Sequence, residues 1–299
     1  MSQMQSPELS VVLPVYNAEN YVSEAVESIL SQDFENFELI IIDDCSTDSS
    51  YEILKKKSEL DNRIRLYKNE VNLRLIKTLN LGLSLAKGKY VARMDADDVC
   101  RRDRFTKQYS YISKGNVAIV GSNYKVFGTK ERTIKLPEDD ASCKLGLLTC
   151  SPFCHPVVMM NLDIIKDNGL IYDENFIHAE DFEFFIKLSK CGEVHNIQEQ
   201  LINYRYHDSQ ISNVHKNKQI ESRVKAILEH YNVDEKNLVK SILAMGKDSS
   251  AIDTNQFYKG IFELLLYKNE SLSLDSWCNI IFNASKIDLV KYFIKRVIF

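Results

Sequence analysis

Phe37-Glu-Leu-Ile-Ile-Ile-Asp-Asp44 is a short, nearly continuous apolar run that ends abruptly in two acids. It is too short for a stable helix, and its three consecutive isoleucines favour extended backbone. It reads as a strand buried on both faces. Upstream, Leu9-Ser-Val-Val-Leu-Pro14 is a second run of the same kind. Between them, Asn17 is a candidate N-cap for a helix from about Ala18 to Ser31. Val22, Ala25, Val26, Ile29 and Leu30 share one face of that helix. Downstream, Ser46 or Asp48 caps a helix through Leu60, and Ile64 to Tyr67 is a third strand. Leu75 to Ala86 forms a further helix closed by Gly88. Tyr90 to Met94 is a fourth strand, again ending in acids: Asp95-Ala-Asp97-Asp98.

Strands alternating with helices predict an α/β fold, a mostly parallel sheet with helices on both faces. Ligands of open α/β sheets sit beyond the carboxyl ends of the strands. Pro14-Val-Tyr16, Asp43-Asp44 and Asp95-Ala-Asp97-Asp98 all fall on that rim. From about Gly115 the pattern is mixed. Val117–Val120, Tyr124–Phe127, Glu193–Ile197 and Leu201–Tyr206 read as strands, and Asp163–Asn168 and Ala179–Lys190 as helices. After Ser212 the periodicity is helical over roughly 217–231, 234–246, 254–268, 274–285 and 286–298. The expected organisation is a region 1–212, with halves at about 1–114 and 115–212, followed by a helical region 213–299.

The chain has 299 residues, 44% hydrophobic and 27% charged. That is a globular composition of about two domains' length, and it excludes a disordered, collagen-like or disulfide-dense chain. With 38 basic against 42 acidic residues, net −4, no nucleic-acid partner is expected, because such partners select for a basic excess. The charge divides as −7 over residues 1–212 and +3 over 213–299. Seven cysteines, an odd number, are scattered. Only Cys150 and Cys154 are close, and no second pair completes a zinc site. Met1 to Glu8 has no leader-like apolar run, and no uncharged apolar stretch reaches membrane-spanning length. A reducing, cytoplasmic setting is expected.

Carboxylates crowded at one rim repel one another and raise one another's pKa, and a divalent cation relieves this. Oxygen-rich sites suit Mg2+ or Mn2+. Asp95-x-Asp97 fits such a site, and equally fits solvated acids that cap a helix after a strand. Asp43 and Asp44 can likewise simply cap the helix after their strand. Ala179-Glu180-Asp181 before Phe182 reads as a helix start, and a carboxylate fixed there is also a well-placed general base. Arg205 and His207 form a basic pair at the end of the strand expected over Leu201–Tyr206. His155, before Pro156, faces a second substrate or is a satisfied loop histidine.

Several of these segments, in order, resemble family 2 nucleotide-sugar glycosyltransferases. They are Leu9-Ser-Val-Val-Leu-Pro-Val-Tyr-Asn-Ala-Glu19, Ser28-Ile-Leu-Ser-Gln-Asp-Phe34, residues 37–48, Ala86-Lys-Gly-Lys-Tyr-Val-Ala-Arg-Met-Asp-Ala-Asp-Asp98, His155-Pro156, Ala179-Glu-Asp181 and Tyr204-Arg-Tyr-His207. The resemblance covers about residues 8–212. It implies the GT-A fold, with a nucleotide-sugar-binding half joined to an acceptor-binding half. It implies that Pro14, Tyr16 and Glu19 lie near the nucleoside. Asp44 would accept the N3–H of uracil. Asp97 would be the direct ligand of Mn2+ or Mg2+, with Asp95 on the ribose or a metal-bound water. His207 would be a third metal ligand, or Arg205 with His207 would meet the diphosphate. Asp181 would be the base of an inverting transfer, with Glu180 beside it.

The implied activity is transfer of one hexose from a UDP-sugar (UDP-Glc, UDP-Gal or an N-acetyl form) to a saccharide acceptor in bacterial surface polysaccharide or lipooligosaccharide synthesis. The acceptor is expected to be lipid-linked. Residues 286–299, with Ile287, Val290, Phe293, Ile294, Val297 and Ile298 on one helical face and Lys291, Lys295 and Arg296 off it, would lie on the cytoplasmic face of the inner membrane or pack on the protein. Two departures stand out. Arg74 stands where relatives often have glycine, and the Gln-x-x-Arg-Trp motif of processive synthases is absent, which implies one sugar per turnover. A phospho-receiver module, suggested by Ile40-Ile-Ile-Asp-Asp44, and a non-catalytic carbohydrate-binding scaffold are the alternatives.

Overall fold

The computed structural model describes residues 6–147, 151–206 and 216–231. The chain divides into two compact units, Met1–Val214 and His215–Phe299. In the first, β1 (Leu9–Val15) pairs in parallel with β2 (Phe37–Asp43), Leu9 opposite Phe37 and Val15 opposite Asp43. β3 (Ile64–Lys68) flanks β2, and β4 (Tyr90–Arg93) flanks β1, both in parallel. The crossovers are α1 (Val22–Leu30), α2 (Ser50–Leu60) and α3 (Arg74–Leu85). Leu39 to Ile42 are all fully buried, as helices on both faces require. Gly88 lets the chain leave α3 close to β1: a Cβ there would sit 2.6 Å from the Ser10 nitrogen.

The second half extends the same sheet. It contributes β5 (Val99–Cys100), β6 (Val117–Gly128), β7 (Arg132–Ile134), β8 (Met159–Asn161) and β9 (Glu193–Tyr206). Among the described residues the strand order is β3-β2-β1-β4-β8-β6-β9-β5, with β7 on β6. β8 runs antiparallel between β4 and β6, while β6 and β9 form a long parallel ladder. The helices are α4 (Arg104–Ile112), α5 (Asp140–Gly146), α6 (Leu162–Asp167) and α7 (Glu180–Ser189). α4 docks through a polar staple. Fully buried Arg104 donates Nη2–H to the Arg93 carbonyl (2.8 Å) and Nε–H to Gln108 Oε1 (3.0 Å). Gln108 then donates to the carbonyls of Val120 and Val157. Buried carbonyls at a sheet end are thereby satisfied.

The parallel half matches the sequence expectation, and the differences have local causes. α1 starts at Val22, not Ala18, because Asn17 adopts a left-handed φ of 49° and holds a neighbouring loop instead of capping. The strands expected at 117–120 and 124–127 are one strand, as are those at 193–197 and 201–206. Register shifts between Val117 and Ile119 and around Ser122–Tyr124 let pairing continue through the polar interruption. α4, α5, β5, β7 and β8 were not anticipated. In the second unit, α8 (Lys216–Tyr231) falls where a helix over 217–231 is expected. His207, the helices expected from 234 onward and the segment 286–299 lie outside the described residues. Among the described residues no helix is long and apolar enough to cross a membrane.

Candidate active site

The loops after β1 and β2 are laced together on the rim. Asn17 Oδ1 accepts the Thr47 N–H (2.8 Å), and the Asn17 N–H reaches Ser46 Oγ (3.0 Å). The Glu19 N–H donates to Asp48 Oδ2, while Glu19 Oε2 accepts from the Ser49 N–H. Asp48 Oδ1 accepts the Ser50 N–H at the start of α2, as a capping acid should. Glu19 is thus a brace of the rim. Pro14 is the half-buried penultimate residue of β1, and Tyr16 stands 50% exposed just beyond the strand.

Asp44 lies at the floor of this rim, 4% exposed. Its Oδ1 accepts two bonds, from Asn69 Nδ2 (2.7 Å) and from the Leu73 N–H (2.8 Å). Among the described residues its Oδ2 takes none. The carboxylate is therefore aimed, with one oxygen anchored and the other available as an acceptor. Asp43 turns inward: it is fully buried, and its Oδ2 accepts the Ser46 N–H.

After β4 the loop gathers Asp95, Asp97 and Asp98, whose carboxylate oxygens lie within 4.8 Å of one another. Asp95 Oδ1 pairs with Arg93 Nη2 (2.5 Å). Asp98 is fully buried. Its Oδ1 accepts the Arg205 N–H (2.8 Å), and its Oδ2 is buried with no hydrogen-bond partner. Burial, with the charges of Asp95 and Asp97 adding, pushes the Asp98 carboxyl well above the usual carboxylate range. Three crowded hard oxygen donors and an orphaned buried oxygen fit a divalent cation such as Mg2+ or Mn2+. Arg205 braces this loop. Its Nε–H donates to the Asp97 carbonyl (2.7 Å), its Nη2 meets Glu24 (2.5 Å), and its guanidinium lies over the rings of Phe127 and Tyr21.

Glu180 and Asp181 open α7, and Asp181 Oδ1 accepts the Phe182 N–H (2.8 Å). The helix is seated by aromatic packing. The Tyr172 and Phe184 rings stack at 4.2 Å, and Phe185 meets Phe153 edge-on. Asn80 of α3 exchanges two hydrogen bonds with the Tyr172 backbone, which ties the first half of the unit to the second. His155 Nε2 lies 3.0 Å from the Tyr172 hydroxyl, and burial holds its pKa well below the ordinary value. It is a satisfied, buried histidine. Asp181 is one of the charges acting on Asp95, so the base candidate and the acidic loop lie near each other.

Burial, with the Asp181 charge adding, pushes the Glu180 carboxyl up to about 7. A raised carboxyl favours the protonated folded state. Its contribution to stability is complete below about 4.5 and is lost as pH climbs through about 7. Glu180→Gln, a neutral mimic, is expected to melt higher than wild type at pH 8, with the gap closing at pH 5. Calorimetry at both pH values checks this.

Left-handed φ values at non-glycine residues occur at Asn17, Cys45, Arg74 and His178. Asn17 and Cys45 lie in loops of this rim, Arg74 opens α3, and His178 stands two residues before Glu180. Such strained conformations cluster where function over-determines the backbone. Sequence reasoning placed Asp95, Asp97, Asp44 and Asp181 in this region, but not Arg93 or the inward role of Asp98. The signal for Arg93 was a charged residue closing an otherwise apolar strand two positions before an acid.

The family model "Glycosyl transferase family 2" matches residues 10–160. The chain belongs to glycosyltransferase family 2. A glycosyltransferase of Haemophilus influenzae, itself uncharacterized, is 33% identical over 273 residues, spanning 79% of this chain and 84% of its own length. The O-antigen biosynthesis glycosyltransferase WbnJ of Escherichia coli is 34% identical over 211 residues, 67% of this chain and 80% of WbnJ. Residues 1–349 of S. aureus TarS, solved in complex with UDP-GlcNAc, superpose with a TM-score of 0.65 at 21% identity. The match covers 97% of this chain and 82% of that one. The family 2 chain thus has the GT-A fold, and its activity is glycosyl transfer. Neither the receiver nor the scaffold reading retains support.

Proposed function

We propose that this glycosyltransferase moves a single hexose from a UDP-sugar (UDP-Glc, UDP-Gal or an N-acetyl form) to a saccharide acceptor of a bacterial surface polysaccharide or lipooligosaccharide, with inversion and without processivity. The observation that carries the donor is Asp44. One oxygen is anchored by Asn69 and Leu73, and the other is available as an acceptor. A carboxylate only accepts. Uracil offers N3–H there, and cytosine does not. The O-antigen role of WbnJ and the UDP-GlcNAc bound to TarS support the acceptor class and the donor class.

Pro14, Tyr16 and the Glu19 brace frame the nucleoside. Asp97, with Asp95 and Asp98 behind it and His207 as a further candidate, would hold Mn2+ or Mg2+. That ion, when bound, supplies electrostatic stabilisation of the departing diphosphate. Arg205 supports the site by fixing the Asp97–Asp98 backbone. Asp181 takes the proton of the acceptor hydroxyl as its oxygen attacks the anomeric carbon from the side opposite UDP. An α-linked donor then gives a β-linkage. A lipid-linked acceptor would be met at the cytoplasmic face of the inner membrane, with residues 286–299 as a peripheral contact.

Screening nucleotide sugars with the purified full chain and saccharide acceptors tests this. UDP release is expected, abolished by EDTA and restored by Mn2+ or Mg2+. In Asp44→Asn the anchored oxygen is retained and an N–H faces the base. UDP affinity should fall roughly 10- to 100-fold, while CDP binding improves. Equal use of GDP- or CDP-sugars by the wild type overturns the assignment.

A further inference from the structure

Arg93 closes β4 at 3% exposure, directly beneath the acidic loop. Its backbone is fixed on both sides. Its N–H donates to the Val158 carbonyl (3.1 Å), and its own carbonyl accepts from Arg104. Its guanidinium reaches Asp95 Oδ1 through Nη2, while Nε and Nη1 are buried without a hydrogen-bond partner. A buried guanidinium that leaves two donors unmade is a poor device for stability, since each unsatisfied buried donor is costly. Its position points to another use. When all three are ionised, the carboxylates clustered within 4.8 Å carry one negative charge more than a divalent ion can cancel. Such a cluster would hold a cation tightly and still repel a diphosphate.

We propose that Arg93 is a positioning residue that balances this excess. It holds Asp95 by one oxygen, so that Asp95 does not close directly on the metal. It also leaves the loaded site without a net negative charge, open to the diphosphate of the donor. The inference rests on the metal-dependent glycosyltransferase reading of the Asp95–Asp98 loop. It accounts for the unequal roles of two acids that the sequence presents as equivalent. Asp95 is tied to an internal cation.

The test reads two bindings that should move in opposite directions. In Arg93→Met, the affinity for Mn2+ alone, followed by the electron paramagnetic resonance of free Mn2+, should rise roughly five-fold or more. The affinity for UDP at saturating Mn2+, followed by calorimetry, should fall by a similar factor. Arg93→Lys keeps the charge and should leave Mn2+ affinity within about two-fold of wild type. A residue with a packing role only would move both bindings together, and that result overturns the proposal. Wild-type protein that binds neither Mn2+ nor UDP would instead defeat the functional reading beneath it. Should Arg93→Met not fold, Arg93→Gln carries the same measurement. Failure of both to fold makes Arg93 a folding determinant and ends the proposal.

Discussion

Asp181→Asn is expected to lower turnover roughly 10²- to 10⁴-fold while UDP binding in the presence of Mn2+ stays at the wild-type level. The substitution is close to isosteric. The amide oxygen can still accept the Phe182 N–H that orients Asp181 at the start of α7. The helix itself is held one turn further on by Phe182, Phe184 and Phe185, all essentially buried. What disappears is the ability to take a proton from the acceptor hydroxyl. On the proposed reading, donor binding rests on other elements: Asp44 after β2 and the acidic loop after β4. A selective loss of chemistry therefore separates base catalysis from donor recognition. Steady-state rates set against UDP affinity by calorimetry make the comparison. Near-normal turnover would remove Asp181 from this role. A loss confined to Glu180→Gln would transfer the role to Glu180, whose carboxyl holds its proton up to about 7 and is thus the poorer base at lower pH.

The legible parts of the molecule share a cause. β1, β2 and β4 are buried on both faces, so their sequences are mostly apolar, and the acids at or just beyond the ends of β2 and β4 stand out. Where the core is built from polar groups, the pattern fails. α4 went unseen because two of its buried positions are Arg104 and Gln108, which satisfy carbonyls distant in sequence. The long strands β6 and β9 looked broken at Ser122-Asn123 and at Gln198-Glu199-Gln200. Yet Asn123 Oδ1 accepts the Leu136 N–H and Gln198 donates to the Leu136 carbonyl, so these polar residues are the seam of the sheet and not its gaps. Asn17 looked like a helix cap because its type favours one. Its left-handed φ is set by the loop across the rim, which no local pattern records. The acids of the site were visible for the converse reason: a carboxylate next to a buried strand is conspicuous, whereas its buried counter-ion, Arg93, resembles a surface residue.

Among the three clustered acids, Asp97→Asn should do the most damage. Asp95 already shares one oxygen with Arg93, and Asp98 is buried with one oxygen on the Arg205 N–H. Asp97 is half-buried, as Asp95 is, and its backbone is fixed by Arg205 Nε on its carbonyl. The amide keeps the size of the side chain and one neutral oxygen but removes a full charge from the cation's surroundings. Stabilisation of a departing diphosphate by a metal is worth several kcal/mol, so Mn2+-dependent UDP release is expected to fall roughly 10²- to 10³-fold. Affinity for Mn2+ alone should fall with it, while the melting temperature stays level or rises, because one of three mutually repelling charges is gone. Asp95→Asn should weaken Mn2+ less, since the charge it removes is already countered by Arg93. The ranking of the two variants, read from Mn2+ titrations and UDP release side by side, decides which acid the cation touches. If Asp97→Asn binds Mn2+ like wild type and Asp95→Asn does not, the direct ligand is Asp95, and the balance attributed to Arg93 is then wrong as well.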